Sequence, residues 1–449
     1  MPLPAEGTIP TPGYDRSRVV PGVVHFGVGG FHRAHQAMYH DRLLSAGTGF
    51  EYGICGVGVM PQDRAMKDAL EAQEHLYTLV VKHADGTYEP RVIGSIVDYL
   101  FAPDDPEAVI ERLAAETTRI VSLTVTEGGY EPGNVVFRYI LDALTRRRER
   151  GLEPFTVMSC DNLPGNGDRT RQVMLELGGE EAIRGVAFPN SMVDRITPQT
   201  TDADRREVKE RFGLDDAWPV VCEPFEQWVL EDAFTLGRPP YEQVGVQVVE
   251  DVEPYELMKL RLLNASHQAL CYFAYLDGYR LVHEAAQDPL YRTFLRGYMD
   301  REGAPTLAPV PGVDLEDYEA TLIERFSNGE VRDTVARLCA ESSDRIPKWL
   351  LPVIRHNLAH GGEIERSAAV VASWARYAEG TDEKGEPIDI VDPLKDRVSA
   401  NARAGRFIED RALFGDLAGD ARFRAAYDAA LDSLHEHGAR RTLERYQSV

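Results

Sequence analysis

Val23-Val24-His25-Phe26-Gly27-Val28-Gly29-Gly30-Phe31-His32-Arg33-Ala34-His35 joins a short β-prone run to a glycine turn, and the turn to a helical stretch reaching Leu44. A strand, a glycine-rich turn and a helix in that order bring backbone N–H groups at a helix start close to a bound pyrophosphate. The match to G-x-G-x-x-G is incomplete, because His32 stands where the third glycine belongs. The same segment would also serve as a tight βα turn with no ligand. Arg33 favours the binding reading, since a cation one turn into a helix opposes the macrodipole and an anion to neutralise would account for it. Gly27, Gly29, Gly30, Phe31 and Arg33 are therefore the cofactor-binding residues expected of this turn.

Downstream, residues 52–59 form a second buried strand, followed closely by Asp63. An acidic group near the end of the second strand of a dinucleotide fold accepts hydrogen bonds from the adenosine ribose and repels a 2′-phosphate, favouring NAD over NADP. The spacing from Gly27 exceeds the usual ~20 residues, and Asp63 equally reads as a helix N-cap. Residues 76–81 and 91–97 suggest an antiparallel excursion, and Asp105-Pro106 opens a helix. Residues 120–126 are a further strand ending in Glu127-Gly128-Gly129-Tyr130, and residues 155–160 another, running into Asp161-Asn162. Glu127 and Asn162 thus sit past the carboxyl ends of strands, where open α/β sheets place ligands. A solvated loop acid and a helix-capping asparagine are the plainer readings. A strand over 185–189 precedes Asn190 to Pro198, which contains Asp194. The alternation from residue 23 to about 198 predicts an α/β, Rossmann-like doubly wound sheet. A charged helix over 201–212 and strands over 220–224 and 244–249 complete this region. After Pro254 helix follows helix, interrupted at 304–312 and 380–387. We expect a dinucleotide-binding domain over 1–252 and a mostly α-helical domain over 253–449.

With 449 residues, 43% hydrophobic and 27% charged, the chain is long enough for two cores. Its net charge of −24 argues against a nucleic-acid or anionic-membrane surface, either of which needs clustered Lys and Arg. Five widely spaced cysteines with no Cys-x-x-Cys pair fit a reducing cytoplasm. The segment before Pro21 lacks the apolar core of a signal peptide or membrane helix.

Residues 254–267 place Glu256, Lys259, Asn264 and His267 on an otherwise apolar helix. With Lys259 at the origin and about 100° per residue, Glu256 falls at about 60°, His267 at about 80° and Asn264 at about 140°. Leu260 and Leu263 share that arc, as in the wall of a pocket. A nucleotide turn followed by such a face suits oxidation of a secondary alcohol, which needs a base for the hydroxyl proton and donors for the developing oxyanion. A lysine can be the base if desolvation lowers its pKa, and the amides of Asn162 and Asn264 suit the oxyanion. His267 could orient the substrate oxygen. His356 and His360 lack the glutamate of His-Glu-x-x-His, so zinc has no credible ligand set, and no Gly-x-Ser-x-Gly elbow is present. Tyr255-x-x-x-Lys259 imitates the pair of short-chain dehydrogenases but lies too far from the glycine turn, so Tyr255 reads as packing.

Five segments together resemble the polyol-specific long-chain dehydrogenases, the mannitol 2-dehydrogenase family, which includes arabinitol dehydrogenases and hexuronate reductases. They are Gly27 to His35, Thr126 to Tyr130, Ser159 to Asn162, Phe188 to Pro198 and Lys259-x4-Asn264-x2-His267. The resemblance implies NAD as cofactor, Lys259 as catalytic base, Asn162 and Asn264 at the oxyanion and His267 at the substrate. It further implies that Asp194 contacts polyol hydroxyls, that Glu127 and Glu256 carry protons between the lysine and solvent, and that Arg337 and Arg345 touch substrate. A polyol or ketose is then the small-molecule partner, and the protein a monomer or small homo-oligomer. Only Glu131 to Val135 separate Tyr130 from the next helix, a shorter loop than mannitol dehydrogenases usually carry, and this bears on which polyol is accepted. The Gly-Gly after Glu127 leans toward the polyol branch over the uronate branch.

Overall fold

Val23 and Val24 point to opposite faces of a sheet and both are fully buried, as expected of a strand covered on two sides. In the computed structural model, which describes residues 9–447, this strand is β1 (Pro21–Phe26). It centres a five-stranded parallel sheet with β2 (Gly53–Gly58), β3 (Ile96–Phe101), β4 (Ile120–Leu123) and β5 (Thr156–Ser159), in the order β3-β2-β1-β4-β5. That is the doubly wound Rossmann order, whose direction reverses between β1 and β4 and opens a crevice at the carboxyl ends. Val24, Phe26, Val57, Val121 and Leu123 form one core layer with the helices Pro106–Ala114 and Val135–Glu149. Val23, Ile54, Ile120 and Met158 form the other with Gln36–Ser45.

Three strand expectations are corrected. The run at 91–97 splits at Gly94-Ser95: Tyr88–Ile93 pairs antiparallel with Tyr77–Lys82, and β3 joins the parallel sheet beside β2. No strand forms over 185–189. The carbonyl of Ala187 accepts from Val157 N–H at 3.0 Å, but Gly185 is left-handed (φ 76) and Pro189 has no N–H to extend a ladder. The strand there is Ser191–Asp194, which pairs antiparallel with Gln227–Glu231, a strand the sequence reading omits. The expected strand at 244–249 shortens to Gln247–Val249, parallel to Gln227–Glu231.

The chain folds as two compact units, the first closing at Glu256 and the second opening at Leu257. Each secondary-structure element described in the second unit is helical. Its hub is Ala265–Asp277, buried on nearly every side and stopped by left-handed Gly278 (φ 101). Val335–Cys339, Glu365–Ala378 and Ala421–Glu444 pack around it. Ala368, Ala369, Ala372 and Ala375 in the second of these are buried, small enough to let neighbouring helix backbones approach closely.

Candidate active site

The glycine turn depends on two different properties of glycine. Gly27 has φ +92, and a Cβ there would stand 2.0 Å from the carbonyl oxygen of Thr124, so no other residue fits. Gly29 is different: an added Cβ would meet only Gly27 O, at 3.9 Å, and would project into an open cleft of about 330 Å³. Gly27, Gly29, Gly30, Phe31, Thr124, Thr126, Asp161, Asn162 and Thr197 are among the residues lining that cleft. It lies at the switch between β1 and β4, and the missing Cβ of Gly29 leaves the space that a dinucleotide's pyrophosphate needs. The residues present fit that group.

His32, in place of the third glycine, has a structural cause. Its ring stacks on His25 with centroids 3.4 Å apart and planes 13° from parallel. His25 Nδ1 lies 2.7 Å from Ser122 Oγ, and Nε2 lies 3.0 Å from Thr124 Oγ1, whose hydroxyl donates to the Gly27 carbonyl at 2.6 Å. Burial drives the His25 pKa down to about 3 and holds His32 well below the ordinary imidazole value, so two neutral rings stack without repulsion beneath the turn.

The expectation for Arg33 is corrected. Its side chain is fully buried, donates to the carbonyl of Trp218, and lies 5.2 Å from the Tyr77 ring centre. The first helix is only Gly30–Ala34, so Arg33 sits in its last turn, where a cation complements the dipole. The macrodipole therefore gives no reason to expect an anion at Arg33. Asp63 caps the turn after β2: its Oδ2 accepts from Val59 N–H and Met60 N–H, each at 2.9 Å.

Past β4 and β5, Asp161 organises the loops. Asp161 accepts from Val125 N–H at 2.8 Å, Thr126 N–H at 3.2 Å and the Tyr130 hydroxyl at 2.7 Å. It thereby holds Thr126 at φ +65, a conformation costing about 1–3 kcal/mol in a β-branched residue. Glu127 follows directly and opens a 3₁₀ turn, Glu127–Gly129; its side chain lies outside the described residues. The position of Asp161 inside Ser159 to Asn162 is the signal that could have found it. Asn162, beside it, lines the cleft. Asp194 is buried at the end of its strand. Glu256 accepts from the Gly165 N–H with both carboxylate oxygens, at 3.0 and 3.1 Å.

In the second unit, Lys259–Asn264 is a π-helical turn continuous with Ala265–Asp277. A π turn accommodates one extra residue, which sets later side chains back by about 100° from the regular α-helical count. Relative to Lys259, Asn264 moves from about 140° to about 40°, and His267 from about 80° to about −20°. The three then share a stripe roughly 60° wide, narrower than the arc expected from the sequence. Lys259, Asn264 and His267 are 5%, 5% and 7% exposed. Buried Asn264 Oδ1 has no hydrogen-bond partner among the described residues, as expected of an amide reserved for a ligand. The His267 ring lies 4.5 Å from that of Phe326.

Residues distant in sequence build this turn. Tyr298 donates its hydroxyl to the Arg261 carbonyl at 2.8 Å, and Arg261 Nη1 donates to Thr306 O at 2.6 Å. A Cβ on Gly303 would stand 2.9 Å from Leu262 Cδ2. Arg337 donates from Nε to Asp333 Oδ1 at 2.6 Å and from Nη2 to Oδ2. Arg345 donates to the carbonyls of Arg337 and Leu338 at 3.1 and 3.4 Å, and lies 3.3 Å from Glu341.

Comparison with known proteins agrees with this geometry. Residues 21–243 match the mannitol dehydrogenase Rossmann domain, and residues 251–435 the mannitol dehydrogenase C-terminal domain. The chain belongs to the mannitol dehydrogenase family. Within that family it is 45% identical to mannitol 2-dehydrogenase of Aspergillus fumigatus, over 97% of this chain and 95% of the relative. Among solved structures, mannitol 2-dehydrogenase of Pseudomonas fluorescens in ternary complex with NAD and D-mannitol superimposes with a TM-score of 0.93, at 44% identity and 99% coverage of both chains. A substrate-free D-sorbitol dehydrogenase follows with a TM-score of 0.87, at 35% identity and 98% coverage of both chains. Among the described residues, no helix is long and apolar enough to cross a membrane.

Proposed function

We propose that this protein catalyses the NAD-dependent, metal-independent oxidation of a polyol to a ketose, with D-mannitol to D-fructose as its principal reaction. The observation that carries the reading is the similarity along nearly the whole chain to the Pseudomonas fluorescens enzyme whose ternary complex holds NAD and D-mannitol. The cofactor, when bound, accepts the hydride from the carbinol carbon. Lys259 takes the hydroxyl proton, and its burial is the condition under which a lysine works as a general base. The amides of Asn264 and Asn162 donate to the oxygen as it gains charge. The unpartnered Oδ1 of Asn264 supports this, because exchange of the amide's O and N turns a donor to the same point. His267 orients the oxygen, Asp194, Arg337 and Arg345 contact substrate hydroxyls, and Glu127 and Glu256 relay the proton to solvent. Asp63 accepts from the adenosine ribose, and Gly27, Gly29, Gly30 and Phe31 receive the pyrophosphate.

The likeness to a D-sorbitol dehydrogenase favours a second polyol, sorbitol, as the first alternative substrate. Five buried free cysteines support a reducing cytoplasm, where we expect a monomer or small homo-oligomer. The test is Lys259→Ala assayed beside wild type with mannitol, sorbitol and arabinitol. Turnover should fall by about 10²–10⁴-fold while NADH titration followed by fluorescence stays unchanged. Full activity in the variant would remove Lys259 from the mechanism.

A further inference from the structure

We propose that Asp333 is a positioning residue that sets substrate choice through Arg337, by converting a cation into a charge-compensated hydrogen-bonding unit suited to a neutral polyol rather than a keto-uronate. The inference rests on the reading above that Arg337 reaches substrate. Asp333 lies just before the short helix Val335–Cys339, where its own carbonyl accepts from Val282 N–H at 2.9 Å. Its side chain is 7% exposed, against 43% for Arg337, so the carboxylate is the buried, fixed partner and the guanidinium the open one. Both oxygens face Arg337 through Nε and Nη2, a bidentate pairing that fixes the guanidinium plane as well as its charge. The N–H of Thr334 also donates to Oδ1, at 2.9 Å. Burial disfavours the charged carboxyl, yet Arg337, with a smaller contribution from His267, holds Asp333 below its ordinary range. The pair therefore carries no net charge, while Arg337 Nη1, which makes no hydrogen bond among the described residues, remains a donor. Arg345, the second arginine assigned to substrate, faces Glu341 at 3.3 Å and spends Nη1 on backbone carbonyls. A sugar carboxylate needs an uncompensated cation to offset its desolvation. A hydroxyl needs only a placed donor, and that is what the pair presents.

The test compares kcat/KM for NADH-dependent reduction of D-fructose and of D-fructuronate in wild type, Asp333→Asn and Asp333→Glu. In Asp333→Asn the fructuronate-to-fructose ratio should rise about tenfold or more, the worth of one charge-assisted hydrogen bond. The gain should appear mainly in KM and shrink with added salt. Asp333→Glu should restore discrimination. An unchanged or lower ratio in a folded Asp333→Asn protein overturns the proposal. If that variant does not fold, Arg337→Gln leaves the carboxylate uncompensated, and the inhibition constant of D-gluconate against fructose should then rise about tenfold; no change would overturn the proposal equally. A wild type that reduces no neutral ketose would instead bring down the polyol reading on which this one rests.

Discussion

The glycine turn of the first unit and the π-helical turn of the second both bend the backbone out of its regular course to aim functional groups, and they are made in opposite ways. The first is local. Gly27 adopts φ +92 because it has no Cβ, Gly29 leaves open space for the same reason, and the supporting His25 and His32 stand within the same segment. The second has no such mark: Lys259 to Asn264 contains neither glycine nor proline. Tyr298 donates to its Arg261 carbonyl, the Thr306 carbonyl accepts from its Arg261 side chain, and Gly303 makes room for its Leu262. A bend made by what a residue lacks can be read along the chain; a bend made by what other elements supply cannot.

The two regions should also respond to pH in opposite directions. The folded-state pKa of His25 is depressed from 6.5 to about 3 by burial, so the stability it contributes is present above 6.5 and lost as pH falls toward 3. The loss should reach about 5 kcal/mol near pH 3, increased by His40, lowered to about 4 for the same reason. Amide exchange of the first unit across this range, in wild type and His25→Gln, measures it; a wild-type profile flat with pH would break the comparison. Gly27→Ala comes next. A left-handed alanine whose Cβ overlaps a backbone carbonyl should lose about 4 kcal/mol, whereas Gly29→Ala should keep its melting temperature and lose NADH affinity. In the second unit Glu302, on the segment that also holds Gly303, is pushed up by burial from 4.5 to about 7. Its contribution is complete below 4.5 and lost as pH rises through 7, costing about 3 kcal/mol; exchange in the second unit should quicken across that window. The smallest effect should follow Tyr298→Phe. Removing the hydroxyl's hydrogen bond to the Arg261 carbonyl should cost about 1 kcal/mol and lower kcat as the stripe of Lys259, Asn264 and His267 loosens. NADH binding should not change, and an unchanged kcat would detach the π turn from catalysis.

The sequence by itself determined the parallel Rossmann-type sheet, the helical second unit and the family, because strand patterning, glycine turns and short motifs are properties of neighbouring residues. It also brought Lys259, Asn264 and His267 together on one helix. Only the tertiary structure decided what depends on contacts between distant segments. It put β3 into the main sheet across a hairpin, and it replaced a strand at 185–189 with Ser191–Asp194. Arg33 turned inward onto Trp218 because its helix ends after a single turn. Asp161 gathered three donors from the loop carrying Glu127, and Asp333 matched the charge of Arg337. Side-chain direction, ion pairing and the extra residue of a π turn are set by the elements that pack around them, and linear spacing does not contain those neighbours.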